Sequence, residues 1–238
     1  MSEAQQITTI SIYRFKSNKY WAFKQMRLSL DPLSTVKGLS FYKVLGCGAG
    51  NGFSIFTDLG TYVKLQIWDS EEFADTYFNN HSLHQQYITH SETHQTIYMH
   101  AGDGHGEWDG SNPFQHRKIA DTDSQIMVLT LSTIYAKKLF YFWKYVSRVS
   151  KSMEGAPGLQ FALGIGELPL IQQATISLWE DKEAMMNYAY TMKRHKEVVK
   201  QTRKQNWYKE ELFTRFIPYR SEGNSNELKI ITENNRQS

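Results

Sequence analysis

Seven of the eight histidines fall between residues 81 and 116, while the eighth, His195, stands apart. His81/His84 and His90/His94 are spaced by three and four residues, which on a helix brings two imidazoles to one face, as a metal site would need. Neither an HExxH motif nor a carboxylate pattern supplies a third ligand, so these residues read as solvated helix and linker histidines. His195 follows an apparent helix interruption at Tyr190-Thr191-Met192 and could point from a helix onto a sheet. Neutral imidazole in such a place is a common axial ligand to heme iron. By position alone, with Arg194 and Lys196 on either side, the surface-histidine reading is favoured.

Other reactive patterns are sparse. The run Leu139-Phe140-Tyr141-Phe142-Trp143 could wall a slot for an extended apolar substrate, although helical aromatics, Trp143 above all, more often form core. Gly46-Cys47-Gly48-Ala49-Gly50-Asn51-Gly52 follows a strand, but the next residues, Phe53-Ser54-Ile55-Phe56, continue as strand where a dinucleotide site needs a helix. There is no GxSxG, Walker A or kinase signature, and Cys47 has no histidine partner in sequence. As the single cysteine it excludes an intramolecular disulfide or a multi-cysteine metal site, which fits a reducing, cytoplasmic setting. The 27 Lys and Arg against 24 Asp and Glu leave a net charge of +3, too little to argue for nucleic acid. No apolar run of about 18 residues is present, nor a signal peptide, so the expectation is a soluble or peripheral chain.

The elements that must position these residues come in two rounds. Residues 7–15 read as strand, Asn18 to about Leu30 as a helix stopped before Pro32, and 39–48 and 61–69 as strands. One helix over EEFADTYFNNHSLHQQYI and a strand near Gln95–Met99 complete β-α-β-β-α-β. The second round has strands at 126–134, 159–167, 174–180 and 211–220, with helices at 136–150 and from Asp181 to about Lys204. Gly38-Leu39-x-Phe41 matches Gly158-Leu159-x-Phe161, and both Trp68 to Trp179 and His84 to His195 are steps of 111 residues. An internal duplication follows.

Each round is a ferredoxin-like unit with helices on one face of its sheet, and the two bare faces must cover each other. The fold class expected is therefore α+β, tandem ferredoxin-like repeats closing into a pseudo-symmetric barrel. The expected division is 1–100 as the N-terminal half, 101–124 as linker, 125–220 as the C-terminal half, and 221–238 as a mobile tail.

The segments WAFKQM (21–26), GLSFYKVLGCGAGNGF (38–53), GEWDGSNPF (106–114), GIGELPLIQQATISLWED (164–181) and the stretch from His195 through NWYKEELFTRF (206–216) together resemble the spheroidene monooxygenase family, from about Ile10 to Gly223. The resemblance implies a dimeric α+β barrel scaffold and a heme-dependent monooxygenase. Such an enzyme uses O2 and electrons from a reduced ferredoxin to place a keto group on an acyclic carotenoid. It makes His195 the axial ligand of one heme b, the C-terminal half being heme-binding, and leaves His84 as its positional mate without that role. Arg194, Arg203 and Arg215 are then candidate propionate partners, since guanidinium pairs bidentately with carboxylate, against a plain reading as solvated surface. A carotenoid-like substrate would be taken from a bilayer surface through transient contact, and an oligomer is compatible with the scaffold. The rivals are a dehydratase-like heme enzyme, a non-enzymatic heme-binding protein, and a cofactor-free barrel monooxygenase. The many first-half histidines, the extra lysine and the polar C-terminal segment depart from the family pattern.

Overall fold

The computed structural model describes residues 5–48, 57–118, 124–141, 143, 155–167, 171–191 and 207–231. Eight antiparallel strands close into one barrel: β1 (Ile7–Arg14), β2 (Leu39–Gly48), β3 (Thr57–Trp68), β4 (Thr93–Gly106), β5 (Ile126–Ile134), β6 (Leu159–Gly166), β7 (Gln172–Trp179) and β8 (Tyr208–Gly223). The order around the barrel is β1-β3-β2-β6-β7-β5-β8-β4, so each half keeps the 4-1-3-2 order of a ferredoxin-like sheet. Two seams join the halves. The β4/β8 seam runs from Gln95↔Gly223 to Gly106↔Leu212, whereas β2 and β6 meet only at Gly46↔Gly166 and Cys47↔Ile165.

Period-2 alternation assigns the faces. Ile10 and Ile12 of β1, Val63, Leu65 and Ile67 of β3, Met127, Leu129 and Leu131 of β5, and Ala174, Ile176 and Leu178 of β7 point inward into a single apolar cluster. Cys47 belongs to this interior, and burial pushes its thiol pKa up, so it is an inert core residue. Side chains also stopper both mouths. After β4 the chain folds back and inserts Trp108 and Phe114, with Phe114 against Phe216 at 5.1 Å and Trp108 against Phe41 at 5.7 Å. After β8 it inserts Leu228 and Ile230 at the other mouth.

The two stoppers are themselves duplicated. The Gln6 side chain accepts from the Gln115 amide, and Gln125, 119 residues on, accepts from the Ile231 amide. Gln95 pins the second stopper from the other side, donating to the Leu228 carbonyl and accepting from the Leu228 amide. The expectation of a mobile tail from 221 onward is thus corrected for 221–231. Strand β8 extends to Gly223, and two apolar side chains among polar ones suffice to hold the segment that follows. Likewise residues 101–106 are strand and not linker.

Outside the barrel, α1 (Lys19–Leu28), α2 (Leu30–Ser34), α3 (Glu71–Asn80) and α4 (Ser82–His90) cover the N-terminal sheet, and α5 (Lys182–Thr191) lies on the C-terminal one. The first helix ends at Leu28, before Pro32 as expected, and Pro32 sits in the first turn of a separate short helix, α2, where its missing N–H costs nothing. One local expectation changes. The stretch expected as one helix breaks at His81, whose extended backbone (φ −78, ψ 127) lets its ring accept from the Leu83 amide at 3.1 Å and cap α4.

The duplication holds at the level of single bonds. Trp68 pairs with Ile7 and Leu39, and Trp179 with Ile126 and Leu159. The amides of Asp69 and Glu180 donate to the carbonyls of Gly38 and Gly158, both at 2.8 Å. Those glycines have φ of +74° and +75°, and a Cβ on Gly38 would fall 2.2 Å from the Phe73 ring, on Gly158 2.4 Å from the Ala184 Cβ. If the second stopper is part of the core, Leu228→Ala should destabilise the protein by about 2–4 kcal/mol. Ile231→Ser, at a half-exposed neighbour, should cost under about 0.5 kcal/mol. Urea unfolding checks both, and an unchanged midpoint for Leu228→Ala would mean that the segment does not pack.

Candidate functional site

With the described interior packed by an apolar cluster and side chains inserted at both mouths, the outer surface of each sheet, beneath its helices, is the candidate place for a ligand. The pseudo-symmetry allows the two outer surfaces to be compared residue by residue. Three cross-strand rows run over the N-terminal sheet: Tyr13–Tyr62–Gly46, Ser11–Lys64–Val44 and Thr9–Gln66–Tyr42. Their counterparts over the C-terminal sheet are Ser132–Gln173, Thr130–Thr175–Gly164 and Val128–Ser177–Ala162.

The N-terminal rows are full. Tyr13, Tyr62, Tyr77, Tyr87 and Tyr98 are buried with Trp68 and Phe78 in one cluster. Lys64 is 1% exposed, with its Nζ 3.4 Å from the centroid of the Tyr87 ring and 3.5 Å from the Tyr77 hydroxyl. Burial drives its ammonium pKa well below the usual lysine value. His84 projects from α4 into the same cluster and shares a 3.1 Å hydrogen bond with the Tyr13 hydroxyl. Burial first, then the Lys64, His94 and His81 charges, bring its pKa down to about 3. The solvated reading of the first-half histidines is therefore corrected for His84. It sits under a helix, and a neutral imidazole packs there like an aromatic ring.

The other histidines have structural partners. His90 stacks on Trp21 at 4.1 Å and bonds the Gln86 carbonyl, His100 stacks on Tyr219 at 4.6 Å, and His116 bonds the Gly102 carbonyl. No group of three or more His, Cys, Asp or Glu able to hold a metal ion occurs among the described residues.

The C-terminal rows keep the backbone and lose the bulk. Tyr13 and Tyr62 are replaced by Ser132 and Gln173, Lys64 and Val44 by Thr175 and Gly164, Gln66 and Tyr42 by Ser177 and Ala162. Gln173, Thr175 and Ser177 are nevertheless buried. Thr175 Oγ1 has no hydrogen-bond partner among the described residues, and neither has the Nε of Arg215. Arg215 stands opposite Val128 in the β5/β8 ladder, on the edge of this surface, and pairs with Asp103 at 3.2 Å. The Trp179 and Tyr188 rings pack in a tilted pair at 5.1 Å as those of Trp68 and Tyr77 do at 5.2 Å, so the end of the sheet nearest α5 retains its packing. The depletion is confined to the middle rows.

Of the residues singled out from sequence, Arg215 is on this surface, while His195, Arg194 and Arg203 lie outside the described residues. Trp143 packs with Ile134 and Trp207 as core, in line with the plain reading of the aromatic run, whereas Phe140 and Tyr141 are exposed. Lys64 and the depleted rows escaped the sequence reading. Carrying the 111-residue step from Trp68/Trp179 back along the strand would have set Lys64 against Thr175 and exposed the contrast.

The depressed pKa of His84 has a consequence for stability. Above about pH 6.5 neither the folded nor the unfolded chain protonates this imidazole. Below it only the unfolded chain does, so stability falls by about 1.4 kcal/mol per pH unit from this group until about pH 3. His84→Gln should flatten the fall in unfolding free energy between pH 6.5 and 4 by about one proton. A variant with the wild-type slope would contradict the assignment.

No family model matches the chain. The spheroidene monooxygenase of Rhodobacter capsulatus is 30% identical over 221 residues, covering 91% of this chain and 92% of that protein. That of Cereibacter sphaeroides is 30% identical over 214 residues, covering 89% of this chain and 66% of that protein. Among solved structures, an aldoxime dehydratase aligns with a TM-score of 0.61 at 11% identity over 92% of this chain and 83% of its own, a likeness of fold. With a near full-length relative at this identity, the chain belongs to the spheroidene monooxygenase family and is an oxidoreductase of the monooxygenase kind.

Proposed function

We propose that the protein is a heme-dependent monooxygenase that holds heme b on the outer surface of its C-terminal sheet and oxygenates a carotenoid-like substrate, using O2 and electrons from a reduced ferredoxin or similar donor. The observation that carries the site is the depletion of the middle rows, Thr130–Thr175–Gly164 and Ser132–Gln173, relative to their filled counterparts. Membership of a family whose named relatives act on spheroidene carries the substrate class.

The residues present fit a flat, amphipathic group. Small side chains leave a planar macrocycle able to approach the sheet, and Thr175 Oγ1 is a buried polar atom in want of a partner. Arg215 at the edge can pair with a propionate, because its guanidinium is only part-satisfied by the half-exposed Asp103. Arg194 and Arg203 are further candidates for the second propionate. His195 is the proposed axial ligand, as the counterpart by 111 residues of His84, which hangs from a helix over the equivalent rows. The N-terminal sheet could not take the group, because Tyr13, Lys64 and Tyr87 already fill it.

When bound, heme supplies an iron at which O2 is activated with two electrons. The chain supplies the rest. His195 would hold the group, Arg215 would pair with one of its propionates, and the packed barrel behind the sheet would keep water from that direction. A polyene offers no hydrogen-bonding groups, so it would be held by dispersion and water exclusion, strict in length and loose in side groups.

Titration with hemin should give a shifted Soret band that shifts again on reduction under CO. His195→Ala should abolish or strongly weaken uptake while His84→Ala does not. Ser132→Tyr, which restores the N-terminal residue at a partly buried position, should weaken it by at least about tenfold, the equivalent of about 1.4 kcal/mol. Wild-type uptake by the His195 variant would refute the ligand. With heme bound and a reducing ferredoxin system, labelled O2 should enter an acyclic carotenoid; failure across a panel of acyclic and cyclic carotenoids would remove the substrate and spare the heme. Turnover of an N-oxygenated compound without O2 would instead favour a dehydratase.

A further inference from the structure

We infer that the outward stripe of α1 docks the protein on an anionic lipid surface. The helix turns Ala22 and Gln25 into the protein and leaves Tyr20, Phe23 and Leu28 outside, 74%, 55% and 57% exposed. Tyr20, Phe23, Lys24 and Arg27 are spaced i, i+3, i+4 and i+7, one face of a helix. Large apolar side chains gathered on an outer helical face mark a contact surface, because a soluble helix has no need of them there.

Charge identifies the occupant. Lys16, Lys19, Lys24 and Arg27 lie on or just before the same helix, all four exposed. Two carboxylates answer them, Glu92 at 3.4 Å from Lys16 and Asp31 at 3.2 Å from Arg27, both exposed pairs of small worth. Lys19 and Lys24 have no carboxylate within ion-pair distance among the described residues, and Lys24 Nζ lies 4.8 Å from the centroid of the Tyr20 ring. The start of β3 adds an apolar side chain beside Lys19. Leu59 is 52% exposed, and a Cβ on the adjoining Gly60 would sit 3.4 Å from Lys19 Cε.

Rings interleaved with long cationic chains match the region where headgroup phosphates meet acyl carbon. Tyrosine and phenylalanine enter that boundary while lysine stems reach back to the phosphates. An acidic protein partner would answer the lysines but would have no need of three apolar side chains between them. The helix is ten residues long, and no helix among the described residues is long and apolar enough to cross a membrane, so the contact is peripheral. Its purpose rests on the proposed function: a substrate dissolved in a bilayer must be reached at the bilayer surface.

Vesicles of phosphatidylcholine with and without phosphatidylglycerol, sedimented with the full chain, test the inference. The protein should pellet with the anionic vesicles in a salt-sensitive manner and remain in the supernatant with phosphatidylcholine alone. Lys19→Gln with Lys24→Gln should lower partitioning about tenfold or more. Tyr20→Ser with Phe23→Ser should lower it at low salt as well, and both variants should keep the wild-type circular dichroism because all four positions are exposed. Absence of the protein from anionic vesicle pellets, wild-type partitioning by both variants, or capture only by an acidic electron-transfer protein would overturn it. Turnover of detergent-dispersed carotenoid should be unchanged in the variants; if no carotenoid is turned over in any form while vesicle binding stands, the substrate reading fails and the docking surface does not.

Discussion

The β4/β8 ladder ties two four-stranded sheets into one barrel, and it does so because each sheet has an apolar face that no helix of its own covers. Alternation along the strands makes the consequence unavoidable. Ile10, Leu65, Met127 and Ile176 need each other's company, and closing the barrel is how a single chain provides it. The interior is packed with apolar side chains and closed by Trp108, Phe114, Leu228 and Ile230. The outer surfaces, where each sheet meets its helices, are the places left for a site.

Duplication then supplies two such surfaces, and they have diverged. One is packed with tyrosines around a buried lysine and a neutral histidine, and serves stability. The other keeps the same strand registers with serine, threonine and glycine in the middle rows; buried polar atoms without partners occur on both surfaces, at Tyr62 and Gln66 on the first and at Thr175 on the second, so the difference between them is one of bulk. Unsatisfied groups of this kind cost about 1–3 kcal/mol each when nothing answers them. A bound amphipathic group in that place would lift such a cost. The filled half is the internal control that gives the depleted half its meaning.

Much of the architecture could be read from the sequence because it depends on short-range pattern. Alternating strands, the paired Gly-Leu-x-Phe words and the equal 111-residue steps were enough for two ferredoxin-like units and their closure. What could not be read depends on long-range partners. The segment around Leu228 looks like solvent-exposed chain until Gln95 and Gln125, over a hundred residues away, take its backbone bonds. His84 looks like any helix histidine until the break at His81 re-aims α4 toward Tyr13. The contrast between the two outer surfaces needs strand register, since a slip of one residue would exchange inner and outer side chains.

The most direct measurement is the position of iron in crystals of the hemin-loaded protein, located by anomalous scattering at the iron edge. A single iron over the Thr130–Thr175–Gly164 row is the result this account requires. An iron beside Lys64 on the N-terminal sheet, or within the barrel, would contradict it.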